Sequence, residues 1–174
     1  MYETILVPLD GSAPSDAAFD RALDLAVSMD ATLHLLYVVD ERILHATQLD
    51  AGGLVRGYEE EGDEIVTAAA DEAGKAGLEV VTAVEHGTPH REIRRYIETA
   101  DIDLVVMGTH GRRGLERYLI GSVTERVLRL SDAPVLTIRA TESPAEDETI
   151  DETGGEETGG EGTRREETGE EETE

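Results

Sequence analysis

Leu104-Val105-Val106-Met107-Gly108 is an apolar run closed by a glycine, and its reading decides the fold. Nothing in the run alternates. A strand with one face in water alternates apolar and polar residues, so an unbroken run fits a strand of a parallel sheet covered by helices on both faces. Ile5-Leu6-Val7 has the same character. The strand candidates are Thr4–Leu9, Thr32–Val39, Leu78–Glu85, Leu104–Met107 and Pro134–Arg139. Between them lie segments with helical spacing. Ala18, Ala22, Leu25 and Met29 form an apolar stripe behind Pro14, which suits a first helical turn. A second helix is expected from Gly57 to Ala76, a third from Thr88-Pro89 to Thr99 and a fourth from Ser122 to Leu130. Asp40 to Arg56 is a long connection without an assigned structure.

The alternation predicts an α/β three-layer sandwich with a five-stranded parallel sheet, for which the order 3-2-1-4-5 is expected. That order reverses direction between strands 1 and 4, and ligands of open α/β sheets collect beyond the strand C-termini at such a reversal. Asp10 and Gly108 are then neighbours, so Pro8-Leu9-Asp10-Gly11-Ser12 and the segment after Met107 converge on one crevice. The second segment carries Gly108, Gly111, Gly121 and Ser122 ahead of a helix. Glycines let the backbone approach an anion, and a helix N-terminus supplies unpaired N–H groups and partial positive charge. A nucleotide site is the first hypothesis. The spacing is neither the GxxxxGK[ST] of a P-loop nor a GxGxxG after the first strand, so neither of those phosphate binders fits.

The formal charge is −25, and residues 141–174 hold 15 acids and 2 arginines, leaving −12 on residues 1–140. The domain proper is therefore acidic as well. Lys75 stands alone against 14 arginines. Such a surface suits molar salt, where a Debye length of about 3 Å suppresses self-repulsion, and a halophilic source is expected. A phosphate backbone would be repelled, so no nucleic-acid partner is expected. From Thr141 the composition is Glu, Thr and Gly with few apolar side chains, which reads as a disordered acidic tail after a domain of residues 1–140. No apolar stretch approaches the roughly 20 residues of a membrane span, and no charged, apolar leader precedes the first strand; a cytoplasmic protein is expected. The absence of cysteine removes disulfides, thiolate zinc sites and cysteine nucleophiles.

The pattern GxxGx9G[ST] at Gly108, Gly111, Gly121 and Ser122 resembles the ATP-binding branch of the universal stress protein family. The resemblance spans nearly all of residues 2–139: Ile5 to Ser12 looks like the family's opening strand and loop, Tyr37-Val38-Val39-Asp40 like its second strand end, Gly87-x-Pro89 like its third-helix entry and Pro134-Val135-Leu136 like its closing strand. It implies an adenine nucleotide alpha hydrolase-like fold and a nucleotide-responsive regulatory or protective module of the stress response. It also implies site residues. Pro8, Leu9 and Asp10 match the nucleoside end, with the Asp10 carboxylate at the ribose hydroxyls; Val38 matches a backbone contact to adenine. Met107 and Gly108 line the nucleotide, Gly111 lies beneath the phosphates, and Gly121, Ser122 and Val123 present donors at the fourth helix. The implied ligand is ATP, with AMP as the alternative and Mg²⁺ carried by the phosphates. The implied assembly is a homodimer through the Pro134–Arg139 edge strand; a protein partner is not identified. A slow ATPase or phosphotransferase, or a nucleotide-free interaction protein, are the competing readings.

Each position also has a plainer role. Ser122 and Glu125 have capping-box spacing, Asp10 before Gly11 can order a turn, and Val38 and Met107 can be core side chains. Arg112 and Arg113 sit where a guanidinium reaches phosphate oxygens, although exposed loop side chains also point to solvent. His110 has no serine, cysteine or carboxylate placed beside it by the sequence, so no catalytic base is assigned. His86 and His90 lack an HExxH context and His34 and His45 a partner pattern, so no structural metal is expected.

Overall fold

The computed structural model describes residues 1–42, 51–111 and 120–140. The acidic stretch from 141 on, Arg112, Arg113 and His45 lie outside the described residues. The elements run β1 (Thr4–Leu9), α1 (Ala13–Met29), β2 (Thr32–Asp40), α2 (Ala51–Lys75), β3 (Val80–Gly87), α3 (Pro89–Thr99), β4 (Leu104–Gly108), α4 (Ser122–Leu130) and β5 (Val135–Ile138). Every strand pairing is parallel, and the sheet order is β3-β2-β1-β4-β5, the order expected above.

Strands without alternation bury both faces. Ile5, Val7, Leu33, Leu35 and Val106 point into one core with Ala18, Phe19, Ala22 and Ala26 of α1 and Val66 and Ala73 of α2. Leu6, Leu36, Val105 and Met107 point the other way, against Ile93 and Ile97 of α3 and Val127 of α4. Each fully buried Leu, Ile or Val side chain contributes about 1.5–3 kcal/mol, so the central strands stabilise both layers at once. Among the described residues no helix is long and apolar enough to cross a membrane.

Several boundaries differ from the sequence reading, each for a local reason. In α1, Ala18 and Ala22 are buried as expected, but Phe19 and Ala26 complete the buried face while Leu25 and Met29 are only partly covered. The strand expected at Leu78 begins at Val80, because Leu78 donates its N–H to Ala73 O across Gly77, whose φ of 83° turns the chain out of α2. Pro134 precedes β5 and contributes only its carbonyl, which accepts from the Val105 N–H at 2.9 Å. Helix α2 begins at Ala51 rather than Gly57, running through the glycine that was read as its start.

Two glycines within α2 make opposite demands. A Cβ on Gly57 would meet nothing within 4 Å, whereas on Gly62 it would lie 2.5 Å from Tyr37 Cδ1. The Gly62 backbone must therefore lie against the Tyr37 ring. At the other end of the sheet, Asp103 Oδ2 accepts from the N–H groups of Glu3 (2.7 Å) and Thr4 (2.9 Å) and from Thr4 Oγ1 (3.1 Å), tying the entry of β4 to that of β1. Partial burial opposes its ionisation, but the Glu3 and Thr4 donors outweigh that and hold its pKa below the usual carboxylate value.

Gly57→Ala is expected to stabilise the fold by about 0.5–1 kcal/mol through helix propensity, and Gly62→Ala to destabilise it by about 1–3 kcal/mol through overpacking. Urea denaturation of the two variants reads the difference in sign. Asp103→Asn is expected to lower stability at neutral pH. Because the folded pKa lies below the unfolded one, the gap to wild type should close as pH falls through the folded pKa; a gap constant into acid contradicts the assignment.

Candidate functional site: the crevice beyond strands 1 and 4

Ladder lengths leave an opening at the centre of the sheet. Strand β1 pairs with β2 as far as Leu9 with Tyr37, yet β2 continues to Asp40. On the other side, β1 pairs with β4 only through Ile5 with Leu104 and Leu6 with Val105, while β4 runs to Gly108 and stays paired with β5 to Ile138. Pro8, which has no N–H to give a ladder, lies in this stretch. The β1-side backbone edges of Val38–Asp40 and of Met107–Gly108 thus extend past the paired part of β1, at the point where strand order reverses.

The loop leaving β1 is held by its own side chains. Gly11 takes φ 70°, and Asp10 Oδ1 accepts from the Ser12 N–H (3.1 Å) and Ser12 Oγ (2.6 Å). Ser12 also caps α1, accepting from the Ser15 N–H, and buried Ser15 Oγ accepts from the Asp10 N–H at 3.2 Å. The turn role of Asp10 is therefore real, and it engages Oδ1. The other oxygen points toward the second loop: a Cβ built on Gly111 would collide with Asp10 Oδ2.

The second loop is packed as closely. A Cβ on Gly108 would lie 2.7 Å from the Pro14 carbonyl carbon, so the end of β4 rests on the main chain of the first turn of α1. A Cβ on Gly121 would come within 3.2 Å of Thr109 O and 3.3 Å of His110 Cα, and the Gly121 N–H donates to Thr109 O at 2.7 Å. Buried Thr124 donates its hydroxyl to Gly108 O at 2.8 Å. The N-cap of α4 is Gly121, with no side-chain cap bond, and Ser122 is the first helical residue. This corrects the capping-box reading: the Glu125 N–H returns to Gly121 O, and no Ser122–Glu125 box closes the turn. Among the described residues no side chain caps the first turn of α4, whose N–H groups lie at the positive end of the helix dipole.

Of the residues singled out in the sequence, Pro8, Leu9, Asp10, Val38, Met107, Gly108, Gly111, Gly121, Ser122 and Val123 lie around this crevice, and Arg112 lies outside the described residues. Leu9 and Met107 have buried core side chains, so what they offer the crevice is main chain. Ser122 is exposed and Val123 packs on the α3–α4 core. Ser15, Thr109 and Thr124 were not singled out. Ser12-x-x-Ser15 ahead of the α1 stripe was a legible capping signal; nothing in the sequence marked Thr124. His110 Nδ1 lies 3.0 Å from Thr109 Oγ1, and its buried Nε2 has no hydrogen-bond partner among the described residues. His34 contacts the Tyr96 hydroxyl at 3.1 Å and His86 pairs with Glu59 at 3.1 Å; among the described residues no group of three or more ligating side chains is placed to hold a metal ion.

Chemically, uncapped N–H donors at α4 suit an anion, and a carboxylate at Asp10 suits hydroxyl donors across the same opening. The residues fit a phosphorylated nucleoside, with glycines at each close approach.

Comparison with known proteins agrees with this architecture. The model of the universal stress protein family matches residues 1–139. A universal stress protein of Methanocaldococcus jannaschii is 36% identical over 143 residues, covering 80% of this chain and 83% of the relative. Among solved structures, a hypothetical protein whose biochemical function was assigned from its structure superposes with a TM-score of 0.74 at 31% identity, over 82% of this chain and 99% of its own. A universal stress protein in complex with cAMP superposes with a TM-score of 0.59 at 25% identity, over 80% of this chain and 98% of its own. With the family model matched along the entire sheet and its helices, the chain belongs to the universal stress protein family.

Proposed function

We propose that this chain binds an adenine nucleotide, ATP with Mg²⁺ carried by its phosphates, in the crevice beyond β1 and β4, and acts as a nucleotide-responsive module of the stress response. One observation carries the reading: Asp10 and Gly111, from the loops after β1 and β4, meet beside the N-terminus of α4, which no described side chain caps. In this arrangement Asp10 receives the ribose hydroxyls, the Val38 main chain at the end of the β1–β2 ladder receives the base, and Gly111, Gly121, Ser122 and Val123 surround the phosphates. The cAMP complex of a relative supports an adenine nucleotide as the ligand class. The acidic, lysine-poor composition supports a cytoplasm of high salt as the working medium. Strand β5 ends the sheet with Leu136 exposed, which supports a homodimer through that edge.

Calorimetric titration with ATP and Mg²⁺ in molar KCl, after removal of any co-purified nucleotide, should give saturable binding, with AMP as the alternative ligand and GTP weaker. Gly121→Val, which drives a branched side chain against Thr109 and His110, should weaken binding at least about tenfold, the equivalent of one charge-assisted hydrogen bond, while the circular dichroism spectrum stays native. Wild-type affinity in folded Gly121→Val, or no binding by folded nucleotide-free protein, contradicts the assignment.

A further inference from the structure

The Nε2 of His110 is the one buried side-chain nitrogen or oxygen without a hydrogen-bond partner among the described residues. Leaving a buried polar atom unpaired costs about 1–3 kcal/mol, so such an orphan calls for a partner that the folded chain does not itself supply. Its position narrows what that partner is. His110 comes two residues after the end of β4, next to Thr109, whose N–H donates to Ile138 O at 2.8 Å. On one side, its Cα would lie 3.3 Å from a Cβ built on Gly121, the N-cap of α4. On the other, the next residue, Gly111, lies against the Asp10 carboxylate. His110 therefore spans the seam between the two groups that the crevice offers a ligand, the helix N-terminus and the loop after β1.

The ring is anchored at one nitrogen only. Its Nδ1 lies 3.0 Å from Oγ1 of buried Thr109. A threonine hydroxyl that donates to Nδ1 leaves the ring proton on Nε2. The two nitrogens of an imidazole point in divergent directions, so with Nδ1 turned back onto Thr109 the Nε2–H points away from that residue. The polar groups around it are already engaged. Ser15, Thr109 and Thr124, the buried polar residues among those described, all stand at this end of the sheet, and each has its hydrogen bond. The Gly121 N–H is taken by Thr109 O. A donor left over in such a place matches an acceptor that arrives with the ligand, and the ligand class read for the crevice carries its strongest acceptors at the phosphates, beside the α4 N-terminus.

We propose that His110 is a phosphate-binding residue of the crevice, its Nε2–H donating to a phosphate oxygen of the bound nucleotide. The inference rests on the nucleotide reading of the crevice and adds to it a side chain that distinguishes phosphorylated from unphosphorylated nucleosides. A hydrogen bond to an ionised oxygen is about twice as strong as one between neutral groups, and a ring already fixed by Thr109 has little rotamer freedom left to lose.

The test is calorimetry on the full, nucleotide-free chain in molar KCl, with ATP and Mg²⁺ set against adenosine, for wild type, His110→Phe and His110→Gln. Phenylalanine keeps a ring and removes both nitrogens, whereas glutamine brings an amide donor to nearly the reach of Nε2. His110→Phe is expected to bind ATP at least about tenfold more weakly, the loss of one charge-assisted hydrogen bond, with adenosine affinity unchanged and His110→Gln recovering part of the loss. In wild type, the Nε2 resonance of His110, read by long-range nitrogen–proton NMR correlation, should move with ATP and stay still with adenosine; this readout holds even where His110→Phe fails to fold. Undiminished ATP affinity in folded His110→Phe, equal losses for ATP and adenosine, or an Nε2 signal that bound ATP leaves unmoved each overturns the inference while the nucleotide reading of the crevice stands. A folded wild type that binds no ATP overturns both.

Discussion

The Pro14 main chain occupies the space where a side chain on Gly108 would sit. That contact sets the end of β4 directly against the first turn of α1, on the layer formed by α1 and α2. From the opposite layer, Thr124 of α4 grips the carbonyl of the same residue. A strand end with no side chain is therefore clamped from both faces of the sheet, and the loops leaving β1 and β4 are brought close enough for Asp10 to abut Gly111. The crevice depends on this clamp.

Electrostatics shape the crevice from the negative side. Asp16, in the first turn of α1, is held above the usual carboxylate pKa by partial burial and then by Asp10 and Asp20. An anion entering here meets carboxylates along the β1 loop, and Lys75, the chain's only lysine, lies at the far end of α2. Main-chain N–H groups and a helix dipole suit the task because they attract an anion without adding a full charge to the chain.

The layer architecture was legible because Ile5-Leu6-Val7 and Leu104 to Met107 lack alternation, a pattern with few other uses. The strand order 3-2-1-4-5 was expected, but alternation alone does not encode it, since other doubly wound sheets share that alternation with a different order. The start of β3 was not legible, since Leu78 is as apolar as a strand residue and only its bond to Ala73 assigns it to the helix exit. Ser122 and Glu125 showed a capping box by spacing, but the cap is the glycine before them, a distinction set by backbone dihedrals that composition does not encode. The glycines illustrate a deeper ambiguity. Gly108, Gly111 and Gly121 were read as room for phosphates, and each also has a close protein neighbour, main chain at Gly108 and Gly121 and the Asp10 carboxylate at Gly111, so one residue type answers to two causes. Thr124 carried no sequence signal, because its partner is a carbonyl on another element.

The most direct test of the account maps the amide resonances that move when ATP and Mg²⁺ are added to the isotopically labelled chain. The account predicts the largest shifts at Asp10, Val38, Gly108, Gly111 and Gly121 to Val123, the positions that the sheet reversal brings together. Saturable shifts confined to other surfaces, with these amides unmoved, would contradict it.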